Sequence, residues 1–389
     1  MNLRIFDTNL RPLGVVDEIT SLILKTKYFN VGNISILAPV TQNNLKMLKE
    51  GNIVIVYDGT DAYKDNAGNE WRRASVIKYI NITTNSKGEE QIEAKGYAMS
   101  CWLDKRVIAK QYMFNDPISN IIIELVSSNC GNAASFRRAF PNFIILEKKE
   151  DLDGTQVEYT NEEYVSLGDE VKRLAQQGKL GYDILVDVKK QRYGFYMYKG
   201  TDRTAENKTG TKPCIFSREF ENVLKRSYEH SNENCKNFIY VYGNKEGDET
   251  ETPVATETDS TQWLSGIELD EVAIKSDISR TYTDDAGQHS IPLSTYLKLL
   301  KNQAGLELSS YDACINFEST INVLSNLRYK KDFFLGDRVT FQERDWGIKI
   351  NARITEVSET WQKGTYAIEI TFGESTPTLI DRLRKRGIR

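Results

Sequence analysis

Two histidines, five scattered cysteines and a few adjacent carboxylates are what this 389-residue sequence offers to the commonest catalytic chemistries. His230 and His289 lie in polar segments, far from one another and from any cysteine cluster. A nucleophile–imidazole triad or a histidine-rich metal site needs closer company than that. Cys101, Cys130, Cys214, Cys235 and Cys314 are odd in number and contain no C-x-x-C pair. Their spacing reads as reduced thiols, neither a disulfide framework nor a zinc site. Glu89-Glu90, Glu162-Glu163 and Asp284-Asp285 could supply a glycosidase with its two carboxylates. Adjacent residues point apart on a strand, however, and all three pairs stand in turn or helix-start contexts, so they read as solvated charge. Asp151-Leu152-Asp153-Gly154 opens like a calcium loop but lacks the later acidic ligands. No phosphate-cradling glycine loop or nucleophile elbow is present. No catalytic, cofactor-binding or metal-binding residue is therefore assigned.

Two segments have the chemistry to touch nucleic acid. Lys189, Lys190 and Arg192 precede the tyrosine-rich run Tyr193 to Tyr198, which mixes charge with aromatic faces suited to base stacking. The same alternation suits a half-buried strand, the reading we favour. The tail Arg382, Arg384 and Arg386 could contact phosphates, an acidic partner or only water. The net charge of -4 argues against a DNA-gripping surface over the whole molecule.

The elements that must position such residues are mostly strands. The chain is 40% hydrophobic and 27% charged, too long for one ordinary core, so two to four domains are expected. No apolar run is long enough to span a bilayer, and the N-terminus lacks a signal-peptide core. Folding in a cytoplasm, with release only by lysis, is the expectation. Residues 1–110 read as a first β-barrel domain, with an opening hairpin and a short helix from Gln42 to Lys49 capped by Thr41. Residues 111–204 read as an inserted α/β domain. One of its helices starts at Asp116-Pro117; a second opens at Thr160-Asn161-Glu162-Glu163 and closes near Gly178. Strands at Cys214-Ile215-Phe216-Ser217 and Phe238 to Tyr242 are expected to complete the first barrel, over about 205–243. Residues 244–262 are acidic, threonine-rich and poor in large apolar side chains, which reads as a linker or mobile loop. Residues 263–389 hold a helix around Leu293 to Gln303, a second β-barrel domain and the basic tail.

The two barrels share a pattern. Glu50-Gly51-Asn52-Ile53-Val54, Arg73-Ala74-Ser75-Val76-Ile77 and Lys87-Gly88-Glu89-Glu90-Gln91-Ile92-Glu93 return as Leu335-Gly336-Asp337-Arg338-Val339, Arg353-Ile354-Thr355-Glu356-Val357 and Lys363-Gly364-Thr365-Tyr366-Ala367-Ile368-Glu369. Ordinary hairpin chemistry yields each turn singly. Three landmarks in one order favour a β unit used twice, the kind of duplication that builds symmetric or pseudo-symmetric assemblies.

Several segments carry a family resemblance. Gly200 to Thr204, Phe216 to Val223 and Lys236 to Gly243 have the order and spacing of siphophage tail-hub proteins. So do Ile5-Phe6-Asp7, Leu13 to Asp17 and Ser21-Leu22-Ile23 near the start, and Asp332 to Val339, Arg353 to Val357 and Thr371-Phe372-Gly373-Glu374 near the end. The sequence thus resembles, over nearly its whole length, the baseplate or tail-tip hubs of tailed phages, prophages and phage-tail-like bacteriocins. The resemblance implies a β-rich α+β fold with two similar β-barrel domains of the tail-tube type and an inserted α/β domain. It implies a homotrimer whose six barrels adapt a six-fold tail tube to a three-fold spike or fibre. Distal-tail or baseplate proteins would be further partners, and DNA would pass through the lumen without specific binding. Such a hub works in the virion or tail-like particle, at the tail tip or baseplate, after assembly in the bacterial cytoplasm. Many tail-tip proteins append a lysozyme or peptidase domain; this sequence reaches Arg389 soon after its second barrel, so lytic activity is expected in a partner.

A structural protein rather than an enzyme is the resulting expectation. Gly51, Gly336, Asp337, Arg338, Arg382, Arg384 and Arg386 are its candidate assembly contacts. The alternatives are a tail-associated wall-degrading enzyme built on paired carboxylates, and a module binding cell-surface glycans through its many tyrosines.

Overall fold

The computed structural model describes residues 1–373, except 58–61, 85–87, 148–151, 153, 155, 162–163, 232–234, 248, 259–264, 277, 285–286, 310, 312–313 and 363. The strands that build the repeat alternate apolar and polar residues, as a sheet with one buried face requires. In the N-terminal copy they are β1 (Ser21–Lys27), β2 (Asn33–Pro39), β3 (Ile53–Tyr57), β4 (Ser75–Thr84) and β5 (Glu90–Ala98). In the C-terminal copy they are β6 (Val223–Ser231), β7 (Cys314–Ile321), β8 (Arg338–Glu343), β9 (Ile348–Gln362) and β10 (Thr365–Gly373).

The spatial order is β1-β2-β5-β4-β3 in one copy and β6-β7-β10-β9-β8 in the other, and every pair is antiparallel. The sequence repeat is therefore a repeat of topology. The two copies are joined edge to edge: the second half of β9 pairs with β1, from Glu356 opposite Lys27 to Gln362 opposite Ser21. A single 14-stranded sheet results, and its strand order runs open from β6 to the N-terminal hairpin Asn2–Phe6/Pro12–Val15. Closure of either copy into a barrel is not among the pairings of the described residues.

The core-facing side of the sheet is apolar in both copies. Ile34, Ile36, Ile92 and Ala94 are buried in the first, and Phe317, Ile368, Ile370 and Phe372 in the second. Between the copies lies the α/β unit, built on the helices α2 (Ile118–Cys130) and α3 (Leu167–Gly178). Its sheet pairs Gly181–Asp187 with Arg192–Tyr198, and Phe143–Ile145 runs parallel beside the latter. The hairpin Ala62–Lys64/Glu70–Arg73 leaves the first copy to extend this sheet.

Several expectations are corrected here. Ile215–Phe216 does not complete the first copy; it runs parallel to β8, and Phe216 is buried in the second core. Phe238–Tyr242 joins Val254–Thr258 and Glu271–Lys275 in a small sheet that shares a core with α4 (Leu293–Ser309). The first copy needs neither, because β9 already covers its free edge at β1. Residues 254–258, within the segment read as a linker, form a strand because a polar edge strand can gain its backbone hydrogen bonds from a neighbour.

The short helix α1 (Gln42–Met47) is capped as expected, the Thr41 hydroxyl accepting from the Asn44 amide at 3.0 Å. Helix α3, in contrast, starts at Leu167; Thr160 ends the strand Gln156–Thr160, paired with Met113–Pro117, and Asn161 follows it. The Thr160 hydroxyl donates to the Tyr112 carbonyl, and the Asn161 side-chain oxygen accepts from the Tyr112 amide. Ser166 supplies the cap.

Candidate assembly interface

The turns that open β3 and β8 are the most alike parts of the two copies. The Gly51 amide donates to the Ile77 carbonyl and the Ile77 amide to the Asn52 carbonyl, both at 2.9 Å. The Gly336 amide donates to the Ile354 carbonyl and the Ile354 amide to the Asp337 carbonyl, again at 2.9 Å. Both glycines adopt positive φ, +86° and +94°, a region that side-chain-bearing residues avoid. One residue further on, each copy has a bulge, between Ile77 and Tyr79 in β4 and between Ile354 and Glu356 in β9.

The surroundings of the two turns differ. Around Gly51, a Cβ would meet nothing within 4 Å; at Gly336 it would stand 2.3 Å from the ring of Tyr28. Gly336 and Asp337 are buried, Gly51 is half-buried and Arg338 is exposed. Asp337 accepts hydrogen bonds from the Thr201 amide (2.8 Å), the Arg203 Nε (2.8 Å) and the Phe334 amide (2.9 Å). Arg382, Arg384 and Arg386 lie outside the described residues.

Tyr28 was missed by sequence reading, and it ties three regions together. Its backbone amide donates to the Thr355 carbonyl of β9, and its hydroxyl donates to the Lys179 carbonyl beyond α3. Its ring meets Tyr198 edge-on and lies under the Arg353 guanidinium. Burial raises the Tyr28 phenol above its ordinary value. The only trace in the sequence is an aromatic pair, Tyr28-Phe29, in the short connection between β1 and β2.

The outer face of the large sheet is polar and carries both signs of charge. Lys25 and Lys27 both pair with Glu356, at 3.1 and 3.2 Å, and Lys95 pairs with Glu93 at 2.8 Å. Glu318 and Glu369 are exposed on the same side. The base-stacking surface considered for Tyr193 to Tyr198 does not form. Tyr193, Phe195 and Met197 are buried, Tyr196 stacks on Tyr198, and Arg192 pairs with Asp187. Of the acidic pairs, Glu89 and Glu90 are exposed, whereas Glu162, Glu163 and Asp285 lie outside the described residues, as do Asp151 and Asp153. Among the described residues no group of three His, Cys, Asp or Glu side chains is placed to hold a metal, and no helix is long and apolar enough to cross a membrane.

This duplicated, edge-joined sheet has relatives. The model of the family described as Siphovirus ReqiPepy6 Gp37-like protein matches residues 2–374. The chain belongs to that family. No curated protein matches it. Solved structures similar to this Gp37-like chain include a tail protein from Neisseria meningitidis MC58, at 12% identity and a TM-score of 0.57, with 96% of each chain covered. The 43 kDa tail protein of prophage MuSo2 from Shewanella oneidensis is 10% identical with a TM-score of 0.56, over 96% of this chain and 98% of that one. Prophage tail protein gp18 from Listeria monocytogenes EGD-e is 13% identical with a TM-score of 0.53, over 100% and 98%. At such identities the Gp37-like chain shares the fold of these tail proteins: β-rich, with several sheets and a minority of helix.

Proposed function

We propose that the chain is a structural hub at the baseplate or tail tip of a phage or phage-tail-like particle. Three copies form a ring that adapts a six-fold tail tube to a three-fold spike or fibre. The observation that carries this reading is the internal duplication, two β units of identical strand order and bulge position joined edge to edge within one chain. Three such chains present six near-equivalent units above and a three-fold axis below, which is what a tube-to-spike adaptor needs. Its partners are tube, distal-tail or baseplate proteins on one side and a spike or fibre on the other, after assembly in the host cytoplasm.

The polar face of the sheet lines the lumen in this reading. Lys25 and Lys27 share Glu356, Lys95 pairs with Glu93, and Glu318 and Glu369 lie on the same face, so the face carries no excess of positive charge and DNA phosphates would slide past without being held. Gly51 and Arg338 are retained as contact positions toward neighbouring proteins, while Gly336 and Asp337 act by holding the second turn in place. Light scattering over a concentration series tests the proposal. A mass of three times 44.5 kDa, with six lobes in averaged images of the ring, is expected. A ring of any other copy number would overturn it.

A further inference from the structure

The join between the two copies has a counterpart that the single chain leaves unused. Backbone pairing aligns the copies residue by residue: in the outer half of β4, Tyr79 to Thr84 correspond to Glu356 to Trp361 of β9. By the same pairing, Ser21 to Lys25 of β1 correspond to Lys225 to Glu229 of β6. Within the chain, the outer half of β9 is clasped between β10 and β1, and Val357, Ser358 and Glu359 are buried there. Among the described residues, the outer half of β4 pairs only with β5 on one side, and β6 pairs only with β7. Tyr79 and Ile82 are 49% and 51% exposed. The described sheet thus ends in two strand edges without a pairing partner among the described residues, each equivalent to one half of a join the chain already makes.

We propose that these edges pair between neighbouring copies of the chain, β4 of one against β6 of the next, antiparallel and in the register of the internal join. This deepens the hub reading and rests on it. Transposing the join places Tyr79 opposite Ser231 of the neighbouring copy, Asn81 opposite Glu229, Ile82 opposite Tyr228 and Thr84 opposite Arg226. Ile82 and Tyr228 both lie on the core-facing side: Tyr228 packs against the second core, and Ile82 stands opposite the buried Ile92 while itself half exposed. An aromatic opposite a β-branched residue is a favourable cross-strand pair, and its formation covers the exposed Ile82. The contact joins two different edges, so it is head-to-tail and propagates until it closes on itself. A long unpaired edge bearing apolar side chains is a liability that a neighbouring strand removes.

Paired cysteines test the register. The double variant Ile82→Cys/Tyr228→Cys, oxidised and run without reductant, should convert most of the chain to covalent species ending at three copies. The combination Ile82→Cys/Ser227→Cys, slipped by one residue and therefore facing opposite sides of the sheet, should give several-fold less. Ile82→Asp, a substitution at a half-exposed position, should keep the circular dichroism spectrum of the folded chain while shifting the mass from trimer to monomer. A trimer by light scattering that fails to cross-link through 82 and 228 overturns the strand pairing and leaves the trimer standing. A dimer formed by Ile82→Cys alone would show like edges meeting about a two-fold axis, and overturns it too. A chain monomeric throughout the concentration series removes the trimer on which the pairing depends.

Discussion

The two copies of the repeat have one backbone plan and opposite roles within the chain. In the first, the turn at Gly51 is open on its side-chain side, its neighbour Asn52 makes one side-chain bond to the Met47 carbonyl, and the outer half of β4 is bare. In the second, the turn at Gly336 is pressed against Tyr28, Asp337 gathers two amides and a guanidinium, and the outer half of β9 is buried. Main-chain pairing fixes the topology of both, since every strand must satisfy its amides whatever its side chains are. Side chains then divide the labour. The second copy holds the chain together, and the first keeps an edge for something else.

The two turns should differ most in stability at the residue after each glycine. Asp337→Ala removes a buried carboxylate that accepts from the partly buried Arg203 guanidinium and from two amides, and should cost about 3 kcal/mol. Asn52→Ala loses one hydrogen bond at 2.8 Å and should cost about 1 kcal/mol. Denaturant unfolding of the two variants side by side measures the difference; equal losses would mean that the second turn holds nothing special. The glycines come next. Gly51→Ala carries only the left-handed strain, about 1–2 kcal/mol. Gly336→Ala adds the collision with Tyr28, bringing the loss to about 3 kcal/mol, and Tyr28→Ala in the same chain should recover part of that increment.

Those turns were also where the sequence was most readable. Gly51 and Gly336, Gly88 and Gly364, and the Ile-Glu pairs at 92–93 and 368–369 all occupy equivalent places, because positive φ and tight hairpins restrict residue choice. The Arg-led strand was misaligned by three residues. Pairing matches Ile77 with Ile354, so Arg353 stands where Val76 does, and Arg73 belongs to the hairpin that crosses into the α/β sheet opposite Leu185. A detour of that kind leaves no periodic signal. Strands β6 and β7 escaped notice for a related reason. Residues 232–313 separate them, and neither has a turn that announces the other. The join between copies was equally hidden, because strand pairing over more than 300 residues depends on edges, not on motifs.

Glu170 is buried beside Arg173 on α3 and accepts a 2.6 Å hydrogen bond from the Tyr159 hydroxyl. Burial pushes its carboxyl up, but the Arg173 charge, with hydrogen bonds from Arg173 and Tyr159, brings it below the ordinary value. A depressed carboxylate contributes stability above its unfolded pKa and loses it as the pH falls through the folded one. Glu170→Gln should therefore cost about 2 kcal/mol at pH 7, and progressively less as the pH falls below about 4.5. Unfolding curves across that range check it; a loss independent of pH would assign the effect to shape instead of charge.

The smallest effect is expected at the join itself. Lys25 and Lys27 reach Glu356 across it from partly exposed positions, their side chains 40% and 30% accessible. Exposed pairs of this kind contribute little, because water screens them and two long side chains must be held still. Lys25→Ala and Lys27→Ala together should cost less than about 1 kcal/mol, with the residual effect vanishing in high salt. If the loss were several times larger, the join would depend on charge, and the β4 edge, which has Tyr79 where β9 has Glu356, would lack what the internal contact uses. A small loss means that backbone pairing and the buried face carry the join, and the first copy's edge has both to offer.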